Sequence, residues 1–262
     1  MRLQFFSIIM MMIFSLNIQA SVTHEQFNKI QSNLLKLYSK SVADLNGQFD
    51  IVIKADGAIP QALSRKTSEG VWQIEVYQSM LDLERQSIQT LGMMLCHEVG
   101  HFLGGEAYVV GRQLTPAVRS RAPKKMSCEG QADFFSTSVC FRKLADLVPE
   151  LRNFKEEESD LSNECYLSYK QQDDIDTCLS GLKTAQNLSL VYEDVLVKMG
   201  FPTQFQNRFD NTVTDRTLNY VGEYPTLECR YQTLVHGLLC PKNSDGECID
   251  PRWTRPLCWF NH

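Results

Sequence analysis

The stretch that decides the fold is Leu91-Gly92-Met93-Met94-Leu95-Cys96-His97-Glu98-Val99-Gly100-His101-Phe102-Leu103-Gly104-Gly105. It reads as an apolar helix carrying His-Glu-x-x-His and stopped by paired glycines. Histidines four apart share one helical face and lie about 6 Å apart along its axis. Two imidazole nitrogens so placed can reach one Zn²⁺ at about 2.0–2.1 Å each. Glu98 lies beside that face, where a carboxylate can take a proton from an activated water without being a ligand. The plainer alternative is two histidines four apart by chance, and the helical context weighs against it.

Two histidines do not hold a catalytic zinc, so a third protein ligand is needed, with one position left for solvent. An astacin-like pattern would place a third histidine at position 107, which is Ala107. A thermolysin-like pattern takes a glutamate from a later helix, with an aspartate one turn on. Glu129/Asp133 and Glu156/Asp160 both have this spacing. Glu156 sits among Lys155, Glu157 and Glu158, which marks a solvated face. Glu129 and Asp133 open a run of small and apolar residues, where a buried acid pair calls for a cation. Glu129 is therefore expected as the third ligand and Asp133 as the partner that orients an imidazole. Glu106 is the fallback, poorly placed just past the end of the same helix.

His97-Glu98-Val99-Gly100-His101 followed by Glu129-Gly130-Gln131-Ala132-Asp133 resembles the gluzincin peptidases. Within them it is most similar to the HtpX-like and CAAX-prenyl-protease-like (Ste24-type) family, over about residues 70–140. The family's His-Pro pair ahead of an Arg corresponds here to Tyr224-Pro225 and Arg230, with Tyr in place of His. The resemblance implies a zinc-dependent endopeptidase holding one Zn²⁺ per chain, with Glu98 as general base and Arg230 near the metal. Tyr224 or His236 would stabilise the oxyanion. It also implies a polypeptide substrate in extended conformation, added along an edge strand at 71–77. The implied fold class is α+β and zincin-like, mostly helical with a small antiparallel or mixed sheet beside the His-Glu-x-x-His helix. A non-catalytic zinc-binding protein and a zinc hydrolase acting on cell-wall amides are the other readings.

Outward from this centre, Thr23 and Gln26 form a capping box ahead of a helix running to about Gly47. Strands are expected at 49–53 and 71–77, separated by a turn-rich polar stretch at 55–70. The histidine helix should begin near Leu83 or Glu84. Further helices fall at 129–142, 182–199 and 225–239. The stretch 106–127 holds Arg112, Arg119, Arg121, Lys124 and Lys125 against Glu106 alone, and reads as a solvated loop or a basic lid.

Residues 1–20 read as a secretory signal peptide: Arg2, an apolar run at 5–16, and cleavage after Ala20. That run is too short to span a bilayer, and no later stretch is apolar enough. Residues 21–262 read as a single domain closed by a cysteine-containing cap at 241–262. The chain should be exported, to the periplasm or the extracellular space. With 26 basic and 31 acidic residues and a net charge of −5, it carries no footprint for nucleic acid or an anionic membrane.

Nine cysteines in an exported chain predict disulfides with at least one thiol left over. Cys96, embedded in the metal helix, is the expected free one. Cys128 and Cys140 would lie about 18 Å apart on one helix, and Cys229 and Cys240 about 16 Å, so neither pair can close on itself. Cross-pairing between those two helices is expected instead. Cys165–Cys178 and Cys248–Cys258 would close local loops.

Overall fold

The computed structural model describes residues 22–55, 57–108, 126–153, 160–201, 203–206, 209, 225–243 and 247–259. The expected signal peptide at 1–20, Glu156, Tyr224 and the basic residues expected to form the loop or lid at 106–127 fall outside them. The described residues are mostly helical with one small mixed sheet.

Thr23 caps α1 (His24–Ala43) through the reciprocal bonds with Gln26 that its sequence carries. Phe27, Ile30, Leu34, Tyr38 and Val42 form its buried stripe, laid on the sheet and on the histidine helix. The sheet holds β1 (Gln48–Lys54), β2 (Ala62–Lys66) and β3 (Val71–Tyr77) in the order β1-β3-β2. β1 runs parallel to β3 with Ile51 opposite Ile74, and β2 runs antiparallel with Ser64 opposite Ile74.

This corrects two expectations. β2 arises from the stretch read as turns, and 71–77 is the central strand rather than the edge. Leu63 is the only large apolar residue in β2, so hydrophobic alternation could not reveal it. Pairing and charge hold it in place. Glu75, buried on β3, meets Arg65 of β2 at 2.5 Å and Lys54 of β1 at 3.1 Å.

After a short turn of helix, α2 (Gln78–Leu81), comes α3 (Ile88–Leu103), which carries His-Glu-x-x-His. It starts later than expected because Ser87 and Thr90 form a reciprocal cap. Every residue from Ile88 to Phe102 is buried, so α3 is the central helix.

α4 (Glu129–Phe135) continues through a π-turn at Ser136–Cys140 into α5 (Phe141–Leu147). Gly100 lets α3 and α4 touch: a Cβ there would lie 2.7 Å from Ala132 O and 2.8 Å from Ala132 Cα. Then follow α6 (Asp160–Ser168), α7 (Gln172–Lys198) and α8 (Leu227–Leu239). α7 begins well before position 182, with Asp173 and Asp174 in its first turn, where acids complement the helix dipole. Among the described residues, no helix is long and apolar enough to cross a membrane.

The cysteines depart from expectation. Cys96 is bonded to Cys140, with Cα atoms 5.5 Å apart, and the free thiol is the buried Cys128. Cys140 lies seven residues after Asp133, two helical turns on along the face that meets α3, and Cys96 directly precedes His97 there. The cross-pairing of 128 and 140 with 229 and 240 is absent, as is Cys248–Cys258. The tail folds back instead, giving Cys229–Cys258 and Cys240–Cys248. Its Trp259 lies flat on α4, where a Cβ on Gly130 would come within 2.1 Å of the ring. Cys165–Cys178 closes its local loop as expected.

Candidate metal centre

His97 and His101 face α4 from consecutive turns of α3, their rings 4.7 Å apart between centroids. Each ring has its Nδ1 occupied. His97 Nδ1 lies 2.7 Å from Asp133 Oδ1, and His101 Nδ1 lies 2.9 Å from the Ser127 carbonyl. A ring that donates from Nδ1 keeps its lone pair on Nε2. Both Nε2 atoms then meet a single carboxylate: His97 at 3.2 Å from Glu129 Oε2, and His101 at 3.6 Å from Glu129 Oε1.

That spacing tests the fit to a metal. Donors about 2.0–2.1 Å from a tetrahedral zinc stand about 3.3 Å from one another. The distances found bracket this value, and the donor set of two imidazoles and a carboxylate is one zinc takes. Glu98 also offers a carboxylate, and the ligand atoms of His97, Glu98 and His101 all lie within 4.8 Å of one another. Glu98, however, is engaged from the sheet side, where Ser64 Oγ lies 2.8 Å from both its Oε2 and its main-chain oxygen. Glu129, which faces both Nε2 atoms, is the better third ligand. At 18% side-chain exposure it is also the most open member, marking the side where solvent reaches the cluster.

Arg230 of α8 closes the back of the site. Its Nε and Nη2 each donate to Asp133 at 2.8 Å, and Nη2 lies 3.8 Å from Glu129 Oε2. Its guanidinium stacks 4.1 Å from the centre of the Tyr192 ring. The Tyr192 hydroxyl is buried with no hydrogen-bond partner among the described residues.

The charges are strongly coupled. Burial opposes ionisation of Asp133, but Arg230 and then His97 outweigh it and hold its carboxyl below the usual range. Glu129 is likewise held down, against burial, by His101, His97 and Arg230. Burial disfavours a charged His97, yet the charge and hydrogen bond of Asp133, with help from Glu129, raise it to about 10. The two carboxylates around His97 therefore favour positive charge beside them.

Of the residues expected from sequence, His97, Glu98, His101, Glu129, Asp133 and Arg230 are brought together. His236 is not brought to them. It follows Arg230 by six residues, about 240° around the helix. Its Nδ1 lies 2.7 Å from the Thr254 carbonyl, and its ring packs on Trp253 in the tail. Glu106 is exposed, and Tyr224 lies outside the described residues.

Ser64, Tyr192 and the Ser127 carbonyl are members that sequence reasoning missed. Ser64 sits in the unrecognised strand, and a backbone carbonyl leaves no side-chain signal. Tyr192 is a lone aromatic in a long helix. Comparison with known proteins finds no matching family model, no matching curated protein and no matching solved structure.

Proposed function

We propose that this chain is a zinc-dependent endopeptidase of the gluzincin type, with a zincin-like core resembling the HtpX-like and CAAX-prenyl-protease-like family. One observation carries the reading: two Nε2 atoms converge on the Glu129 carboxylate at the spacing of tetrahedral ligands, with both Nδ1 atoms already engaged. His97, His101 and Glu129 would hold the ion. When bound, zinc supplies a Lewis acid that brings the pKa of a water to about 7 and polarises a carbonyl.

The chain's own residues do the rest. Glu98 takes the proton that the attacking water releases and passes it to the leaving amine. Ser64 fixes the Glu98 rotamer from β2. Asp133 and the Ser127 carbonyl fix the two imidazoles, and Arg230 fixes Asp133. Tyr224 remains the proposed donor to the oxyanion. β2 pairs with β3 alone among the described strands. An extended polypeptide adding to its other edge would run past Glu98. The leader-like residues 1–20 and four disulfides support export.

The test is metal content and turnover together. The purified chain should hold one Zn²⁺, and Glu98→Gln should keep it while losing about 10²–10⁴ in turnover of unfolded protein. A clean preparation that takes up no zinc would sink the metal site. Zinc without any proteolysis would leave a binding protein, or a cell-wall hydrolase if isolated wall is cleaved instead.

A further inference from the structure

Tyr192 projects from α7, which packs on both α3 and α8. Its ring lies against Arg230, with the guanidinium carbon 4.1 Å from the ring centre. Arg230 in turn touches Asp133 at 2.8 Å and Glu129 at 3.8 Å. The phenol is thus stacked on the residue that closes the back of the metal centre. Its oxygen is buried, yet no described residue bonds to it.

A buried hydroxyl without a partner is unfavourable and uncommon, so the missing acceptor needs a source. The neighbouring carboxylates are already engaged. Asp133 accepts from Arg230 on both oxygens and faces His97 Nδ1. Glu129 turns its oxygens to the two Nε2 atoms, and Glu98 accepts from Ser64. The phenol feels all three of these charges. Burial first, and then those acids, raise its pKa well above the ordinary tyrosine value against the pull of Arg230. It stays a neutral O–H, a donor that keeps its proton.

The proposed reaction creates an acceptor that does not exist beforehand. Attack of water on a peptide carbonyl forms a C–O bond and moves the π pair onto the carbonyl oxygen. That oxyanion needs a fixed donor. Arg230 is committed to Asp133, and His236 is turned to the tail. Glu98 is held from β2 and Tyr192 enters from α7, so base and hydroxyl reach the centre from separate elements.

We propose that Tyr192 is a further catalytic residue, its hydroxyl donating a hydrogen bond to the oxyanion of the tetrahedral intermediate. The inference rests on the peptidase reading, and it does not depend on Tyr224. The hydroxyl keeps its proton throughout. As the C–N bond breaks, the oxyanion's electron pair restores the carbonyl, and the leaving amine takes its proton from Glu98. Stacking on Arg230 holds the ring, so the donor is oriented before substrate arrives.

The test compares Tyr192→Phe with wild type in melting, turnover and ligand binding. In chelator the variant should melt no lower than wild type, since only an unpartnered hydroxyl is lost. A lower melting temperature, or loss of zinc uptake, would assign the hydroxyl to the fold and overturn the proposal. Loaded with zinc, the variant should lose about 10²–10³-fold in kcat on unfolded protein with KM nearly unchanged. A phosphinic peptide, whose tetrahedral P–O⁻ mimics the oxyanion, should bind at least about tenfold more weakly, while the matched product peptide binds as before. Unchanged kcat, or equal loss for the two peptides, would overturn the proposal while wild-type cleavage leaves the peptidase reading standing. A wild type that takes up no zinc, or cleaves nothing when loaded, would remove that reading and this inference with it.

Discussion

The two faces of α4 treat buried charge in opposite ways. On one, Glu129 and Asp133 meet His97, His101 and Arg230, and each acid has a basic partner within 4 Å. On the other, Lys242 makes no ion pair among the described residues, and burial with the nearby Arg142, Lys143 and Arg255 disfavours its charge. The first face is costly to disturb because every charge leans on another. The second is held apart by its surroundings, and removing a charge there relieves them. Matched charge organises the chain itself, whereas the Lys242 charge works against folding.

The sharpest way to break this contrast is at Arg230. Arg230→Met leaves Asp133 buried beside one imidazole, and should cost about 3–5 kcal/mol and about 10–100-fold in zinc affinity. Thermal melting and metal titration would check both, and a neutral outcome would mean that the front face is not interdependent. Replacing Cys96 and Cys140 together by Ala opens a closure of 44 residues, which chain entropy sets at about 4 kcal/mol. Denaturant unfolding would measure it. Gly100→Ala pushes a methyl against Ala132 and should cost about 1–3 kcal/mol. It should also lower zinc affinity, by separating Glu129 from the imidazoles.

The other face should answer with the opposite sign. Because the folded-state pKa of Lys242 lies below its unfolded value, its charge works against folding at neutral pH. That penalty fades as pH rises through the folded pKa toward the ordinary lysine range. Lys242→Met should therefore be neutral to slightly stabilising near pH 7, with the gap to wild type closing on the alkaline side in a melting series. The smallest effect concerns Cys128, whose thiol burial pushes up to about 11. Iodoacetamide at pH 8 should leave the native chain unlabelled and modify one thiol per chain after denaturation without reductant.

Much of the front face was legible because its signals are local. His97, Glu98 and His101 are set by one helical repeat, and Glu129 with Asp133 by another. Arg230 came from a spacing that the resemblance supplied. What escaped depends on contacts between distant segments. β2 has almost no apolar pattern and exists because β3 pairs with it. The cysteine pairing was missed because Cys140, seven residues after Asp133, shares the helical face that meets α3 and so reaches Cys96 rather than the cysteines of α8. His236 sits on α8, as does Arg230, yet the angle between them sends it to the tail.

The Cys96–Cys140 bridge joins α3 to the π-turn that follows α4, one residue before His97 and eleven after Glu129. Oxidation alone would therefore hold the proposed ligand-carrying segments in register, so that on the zinc reading covalent closure can precede uptake of the ion. An ion lost to a chelator would leave a scaffold already shaped to accept its replacement, without a return to the unfolded chain.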